Sequence, residues 1–500
     1  MSVLLQDQRR GTYHFSPRHN WMNDPNGMVY FNGEYHLFFQ HHPQGTTWGP
    51  MHWGHAVSRD LVAWEELPIA LAPDEHGTIF SGSAVVDWND TTGFFGGKPG
   101  LVAIFTHHLD VPGEEHPVQT QSLAYSADQG RTWTKYAGNP VLRHDSYIDF
   151  RDPKVFWHEP MSQWVMILAC GQSVSLYRSP DLKVWTLASE FGEGIGFHGG
   201  VWECPDLFPL PVEGEPGSRK WVMLVSIGDA PDYEEGSRTQ YFTGDFDGER
   251  FMPDACSQSQ VRWLDYGRDN YAGVSWSDVP AADGRRLFIG WMSNWKYANQ
   301  TPTGGWRGAT TIARELRLKQ VNGEAMLTQQ PVRELEAYRK PVMTLRDAEA
   351  QDISGRLADL QLDGFEIHAR AALTESLGSF AFKVRVGAGQ ETVVGYNAET
   401  GEVYVDRSRS GAIDFHPAFA GKHAASLRDG GDALDLRIFV DKSSVEVFVN
   451  GGEIVLTELI YPHPGAEGLE LHTDDKRLAF DMFDLYEIAV PARDKEYRTE

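Results

Sequence analysis

The chain has 500 residues, and its 70 acidic against 44 basic side chains leave a formal charge of −26. That balance excludes nucleic acid and anionic membranes as natural partners and favours a neutral ligand. Three cysteines, Cys170, Cys204 and Cys256, with no C-x-x-C pair among them, exclude a disulfide framework and a cysteine-held zinc.

The N-terminal stretch "MSVLLQDQRRGTYHF" has an apolar run far too short for a secretory signal, and no segment approaches the roughly 20 apolar residues of a membrane span. The chain as given therefore reads as cytoplasmic, or as extracellular if a signal had been removed. Fifty glycines and 27 prolines then punctuate strand-forming sequence. Five strand–turn–strand units are predicted: "GMVYFNGEYHLFFQ" (27–40), "SAVVDW" with "LVAIFTHH" (83–108), "KVFWHEPMSQWVMILAC" (154–170), "DLFPLP" with "KWVMLVSIG" (206–228), and "AGVSWSDVPAADGRRLFIGWM" (272–292).

Between them runs a weak repeat, Ser-x-Asp followed by Trp, in "SRDLVAW", "SADQGRTW" and "SPDLKVW", with a looser echo in "GDFDGERF" (244–251). Each copy reads as a hairpin turn with an aromatic residue on the returning strand. Two hairpins make a four-stranded sheet, and five such sheets predict an all-β fold, a five-bladed β-propeller over residues 1–338. The charged stretch 333–355 lacks a long apolar run, so 339–355 is expected to be a linker with a short helix. Alternating segments such as "FAFKVRVG" and "VDKSSVEVFVNGG" predict a β-sandwich over 356–500.

In a propeller the first strands of the blades start at one end of a central channel. Their starts are "WMNDPNG", "FSGS", "FRDPK", "WECPD" and "LDYGRDNYAG". Asp24, Asp152, Glu203 and Asp265 are thus expected at one mouth, with Arg151 and the aromatics Trp21, Phe80, Trp202 and Tyr266 around them. Taken singly, Asp24 before Pro25 reads as a turn residue and Arg151-Asp152 as a structural ion pair. Glu203, between Trp202 and Cys204 in apolar surroundings, is a stronger candidate for chemistry. Clustered acids raise one another's pKa, so one can hold a proton while another stays ionised, the split that glycoside cleavage needs. The pairs His41-His42, His52/His55 and His107-His108 lie on expected strands with adjacent side chains on opposite faces, so no metal site is expected. Cys204, beside Glu203, is expected to pack against that acid.

Together "WMNDPNG", "WGPMHWGHAVSRDLVAWEELPIAL", "FSGSAV", "RDPKVFW", "GGVWECPDLF", "DYGRDNYAGVSWSD" and "GWMSNWKYANQTP" closely resemble, in order, the motifs of glycoside hydrolase family 32, the β-fructosidases. "VDKSSVEVFVNGG" is similar to that family's C-terminal sandwich. The resemblance implies cofactor-free, retaining hydrolysis of terminal β-fructofuranosyl units of fructans and sucrose. Fructosyl transfer on the same site and a non-catalytic fructan-binding protein are the alternatives. It also implies Asp24 as nucleophile, Glu203 as general acid/base and Asp152 as a holder of fructose hydroxyls. Asn23, Gln40, Trp48, Phe80, Ser81, Arg151 and Trp291 would line the fructose pocket. Gly304-Gly305 depart from the Ser-Pro usual in the bacterial levanases and exo-inulinases, and would loosen a loop near the rim.

Overall fold

The computed structural model describes residues 8–374, 377–428 and 431–491. The short N-terminal apolar run and the end of the expected sandwich lie outside the described residues. All five predicted units form antiparallel strand pairs. They are Asn20–Phe31 with Glu34–His42, Thr78–Asp87 with Gly100–Leu109, Phe150–His158 with Gln163–Cys170, Trp202–Glu213 with Arg219–Ile227, and Tyr271–Ser275 with Arg286–Trp291. The α-helices among the described residues are Ala255–Ser259 and Ala350–Leu357, and no helix among them is long and apolar enough to cross a membrane.

The Ser-x-Asp…Trp repeat has a physical basis in its turns. Asp60 Oδ1 accepts the Val62 and Ala63 amides at 3.0 and 2.9 Å, and Asp181 Oδ1 accepts those of Lys183 and Val184 at 2.9 and 3.0 Å. Asp247 caps its turn in the same way, and Asp128 accepts the Thr132 amide and hydroxyl four residues ahead. The Trp indoles of the three full copies return to turn carbonyls: Trp64 to Leu61, Trp133 to Gly130 and Trp185 to Leu182. A side chain that satisfies two turn amides fixes the hairpin locally. Each turn is therefore specified by a few residues.

Hydrogen bonding joins these units into four sheets rather than five among the described residues, because Arg314–Val321 pairs in parallel with Val212 and Glu213 and so merges the last two units. The first strands are nevertheless neighbours in a closed order. Asn20–Phe31 packs beside Thr78–Asp87, that beside Phe150–His158, then Trp202–Glu213, then Tyr271–Ser275, which returns to Asn20–Phe31.

Beyond residue 331 two further sheets share one apolar core, to which Ile367, Leu436 and Val447 contribute from one sheet and Phe382, Val394 and Leu471 from the other. Residues 339–355 are not a linker. Arg339–Glu349 is an edge strand paired along its length with Ala479–Ile488, and Ala350–Leu357 is the expected short helix. The strand shows mostly exposed side chains, so no apolar alternation marks it in the sequence.

Candidate active site

In all five first strands the pairing register breaks near the start. The breaks fall between Met22 and Pro25, Ile79 and Gly82, Arg151 and Lys154, Glu203 and Asp206, and Tyr271 and Val274. A bulge inserts an unpaired residue and re-aims the neighbouring side chains, and Pro or Gly marks its place because neither suits a regular ladder. Here the marks are Pro25, Gly82, Pro153, Pro205 and Gly273. The residues set free are Asp24, Ser81, Asp152, Cys204 and Ala272.

Three of these have left-handed backbone, Asp152 with φ 64°, Cys204 with φ 46° and Ala272 with φ 53°. Such strain in non-glycine residues costs about 1–3 kcal/mol each and persists where surrounding structure over-determines it. The freed amides supply that determination. Asp152 N–H donates to Thr106 Oγ1 (3.1 Å), Cys204 N–H to Asp152 Oδ2 (3.0 Å) and Ala272 N–H to Ser226 Oγ (3.1 Å).

The bulges bring three carboxylates together. Asp24 Oδ1 accepts from Asn23 Nδ2 at 3.0 Å, and its Oδ2 accepts from Ser81 Oγ at 2.8 Å and from the Cys204 thiol at 3.5 Å. The same sulfur lies 3.6 Å from Asp152 Oδ2. Arg151 holds Glu203 Oε1 through Nε (3.2 Å) and Nη2 (2.9 Å), while the Tyr271 hydroxyl donates to Glu203 Oε2. Arg151 is itself braced by Asp149 and by Gln119 Oε1, which also accepts the Phe150 amide.

Burial raises the Asp24 carboxyl above the usual range, and the charge of Glu203 adds to the effect. Burial also pushes Asp152 up, to about 7; Arg151 opposes this, while Glu203 and Asp24 reinforce it. The Cys204 thiol is driven well up by burial and by the three carboxylates, so it stays protonated and acts as a donor.

Of the other expected pocket residues, Phe80 stacks on His108 at 4.2 Å and meets the exposed Trp48 edge-on at 6.1 Å. The Trp48 amide donates to Asn299 Oδ1, and Arg307 Nη1 reaches Thr46 O at 2.7 Å. The loop after Gly304-Gly305 is thus tied to the Trp48 loop, and Gly305 O accepts the Asn20 amide at 2.7 Å. Gln40 donates to Ile79 O, and Trp291, fully buried, packs on Tyr271 and Trp21.

Asp265 does not join this cluster. It is buried against Arg314 Nη1 (3.2 Å), Asn270 and the Thr457 amide and hydroxyl, where it ties the last sheet units to the C-terminal region. Tyr266 likewise packs against the C-terminal core. Trp21 and Trp202 are fully buried behind the acids rather than around them, Trp21 orienting Asn23 by an indole bond of 2.7 Å. Tyr271 takes the place expected for Asp265. Aligning "YAG" with "ECP" at the fifth bulge would have found it.

The described geometry, a bulge-built cluster of carboxylates in an all-β frame, is that of a glycoside hydrolase. The chain belongs to glycosyl hydrolases family 32: the model of that family's N-terminal domain matches residues 14–331, and that of its C-terminal domain matches 334–487. It is 55% identical over 475 residues to a levanase of Bacillus subtilis, covering 94% of this chain and 69% of the levanase. An extracellular exo-inulinase of Aspergillus niger is 41% identical, covering 91% of this chain and 89% of the relative. A crystal structure of exo-inulinase from Aspergillus awamori superposes with a TM-score of 0.86 at 38% identity, covering 96% of this chain and 98% of that one.

Proposed function

We propose that this glycoside hydrolase is a retaining exo-β-fructosidase that removes terminal β-D-fructofuranosyl residues from levan, inulin and sucrose. The observation that carries the reading is the gathering of Asp24, Asp152 and Glu203 at bulges, linked by Cys204 and Arg151. In the reaction the Asp24 carboxylate attacks the anomeric carbon while Glu203 gives its proton to the departing glycosidic oxygen. Glu203 then takes a proton from water, whose oxygen replaces Asp24 on the anomeric carbon and releases fructose. Retention requires the two carboxyl groups about 5–5.5 Å apart. Asp152, with its raised carboxyl, would hold fructose hydroxyls, and Asn23, Gln40, Trp48, Phe80, Ser81, Arg151 and Trp291 would line the pocket.

Presence of all three acids speaks against a non-catalytic fructan-binding protein. The closed order of first strands supports a five-bladed propeller over 1–338, and the two sheets around one core support a β-sandwich behind it, beginning with the edge strand at Arg339. The name of the Aspergillus niger relative favours an extracellular setting.

Incubation with sucrose, inulin and levan tests this directly. Free fructose as sole early product is expected. Ladders of short oligomers would point to internal cleavage, and lengthened oligomers to fructosyl transfer.

A further inference from the structure

A second opening lies at the far ends of the strands that carry the acids. Ser81, Asp152 and Glu203 sit near the beginnings of their strands, and a cavity of about 730 Å³ is lined by Asp87, His158 and Pro209, each six positions further along. At about 3.3 Å per residue that outer lining is roughly 20 Å from the acids, while the inner lining, Lys154 and Asp206, lies two and three residues past Asp152 and Glu203. Polar bonds form the inner wall of the cavity on its acid side: Lys154 Nζ donates to Ser275 O and lies 3.9 Å from Asp206 Oδ2, which accepts the Ser275 amide at 2.6 Å. All three residues are buried and come from three different first strands.

The lining is rich in indole faces. Trp88 is 55% exposed and pinned by its indole N–H to Asp278 Oδ1 at 2.8 Å. Trp157 is pinned to Glu159 and packs edge-on against Trp164, and Trp221 packs on Phe156. Flat rings fixed in place by hydrogen bonds offer stacking area at little conformational cost. The charges nearly balance: three cationic side chains face four carboxylates across the lining, so neither sign dominates the site. A roomy, aromatic, charge-balanced cavity with fixed polar groups suits a neutral, hydroxyl-rich ring.

We infer that this cavity is a second, non-catalytic binding site for a neutral oligosaccharide, which holds another part of the fructan while its end is cut at the acids. The identity of the sugar rests on the proposed function. Binding at a separate place raises the effective concentration of chain ends without touching the chemistry.

The test uses the full chain with Glu203→Gln, which turns substrate over slowly, titrated calorimetrically with short inulin oligosaccharides. Two equivalents are expected in that protein, and one after adding Trp88→Ala or Arg219→Ala, both changes at exposed side chains. In the otherwise unchanged protein the same two substitutions should leave sucrose hydrolysis intact and lower the rate on dilute inulin. One equivalent in the parent protein, or two retained in both variants, overturns the inference. Failure of the β-fructosidase reading would look different, since the unchanged protein would then release no fructose from sucrose or inulin.

Discussion

Arg151 grips a single oxygen of Glu203, Oε1, with both Nε and Nη2, at 3.2 and 2.9 Å, and leaves Oε2 to the Tyr271 hydroxyl. The two oxygens of one carboxyl group therefore have distinct surroundings, and the planar guanidinium sets which way the group faces. Lysine, a point charge without a fork, cannot hold that orientation. Arg151→Lys is expected to lower kcat by roughly 10²-fold, the scale of a misplaced reacting group. Steady-state kinetics on sucrose check it; an unchanged kcat would remove Arg151 from the orienting role.

Glu203→Gln keeps the size of the side chain but cannot shuttle a proton. Turnover should fall by roughly 10²–10⁴. Asp24→Asn, which removes the carboxylate proposed to attack, should be at least as damaging. Trapping of a fructosyl intermediate on Asp24 by mass spectrometry, after slow turnover by the Glu203→Gln protein, would separate the two roles.

The carboxyl of Asp152, pushed up to about 7 chiefly by burial, keeps its proton in the folded chain over a range where the unfolded chain has lost it. The folded state thus binds more protons from about pH 4 to 7, and its stability falls as pH rises through that window. Asp152→Asn removes this dependence. Urea unfolding at several pH values should show a flatter profile for the variant than for the parent between those limits.

His14 lies between Asp441 Oδ2 at 2.7 Å and Glu446 Oε1 at 2.8 Å, and so bridges the two family domains. Burial alone would lower its pKa, but hydrogen bonds to Asp441 and Glu446 outweigh it and raise the imidazole to about 9. The stabilisation is fully present below its ordinary value near 6.5 and is lost as pH rises through 9. His14→Gln leaves two buried carboxylates short of a partner and is expected to cost about 3–5 kcal/mol. Thermal unfolding at pH 7 and at pH 10 should show a large difference between parent and variant at the lower pH and a small one at the higher.

Trp48 is 45% exposed beside Phe80. Trp48→Ala should raise KM for inulin several-fold while kcat on sucrose changes little, because a stacking face lost from the rim weakens binding more than chemistry. Equal losses in both parameters on both substrates would place Trp48 closer to the reacting atoms.

Much of the frame is legible in local sequence because its decisive interactions are local. The turns are written by an Asp that caps amides two to four residues ahead, and the bulges by Pro25, Pro153 and Pro205. Asp265 is misread for the opposite reason: its partners Arg314 and Thr457 lie 49 and 192 residues away, and no local pattern reveals them. The edge strand Arg339–Glu349 escapes because exposure on both faces erases the period-two signal. The merging of the last two sheets depends on a short parallel pairing at Val212 and Glu213, too brief to leave a trace in composition.

The bonds joining Lys154, Ser275 and Asp206 tie three of the five first strands together between the acids and the second cavity. Under the proposed exo-action what reaches the acids is a free tip, and the released sugar backs out through the entrance by which it came. Turnover then depends on traffic at a single doorway, where each departing fructose must clear the way before the shortened chain can advance.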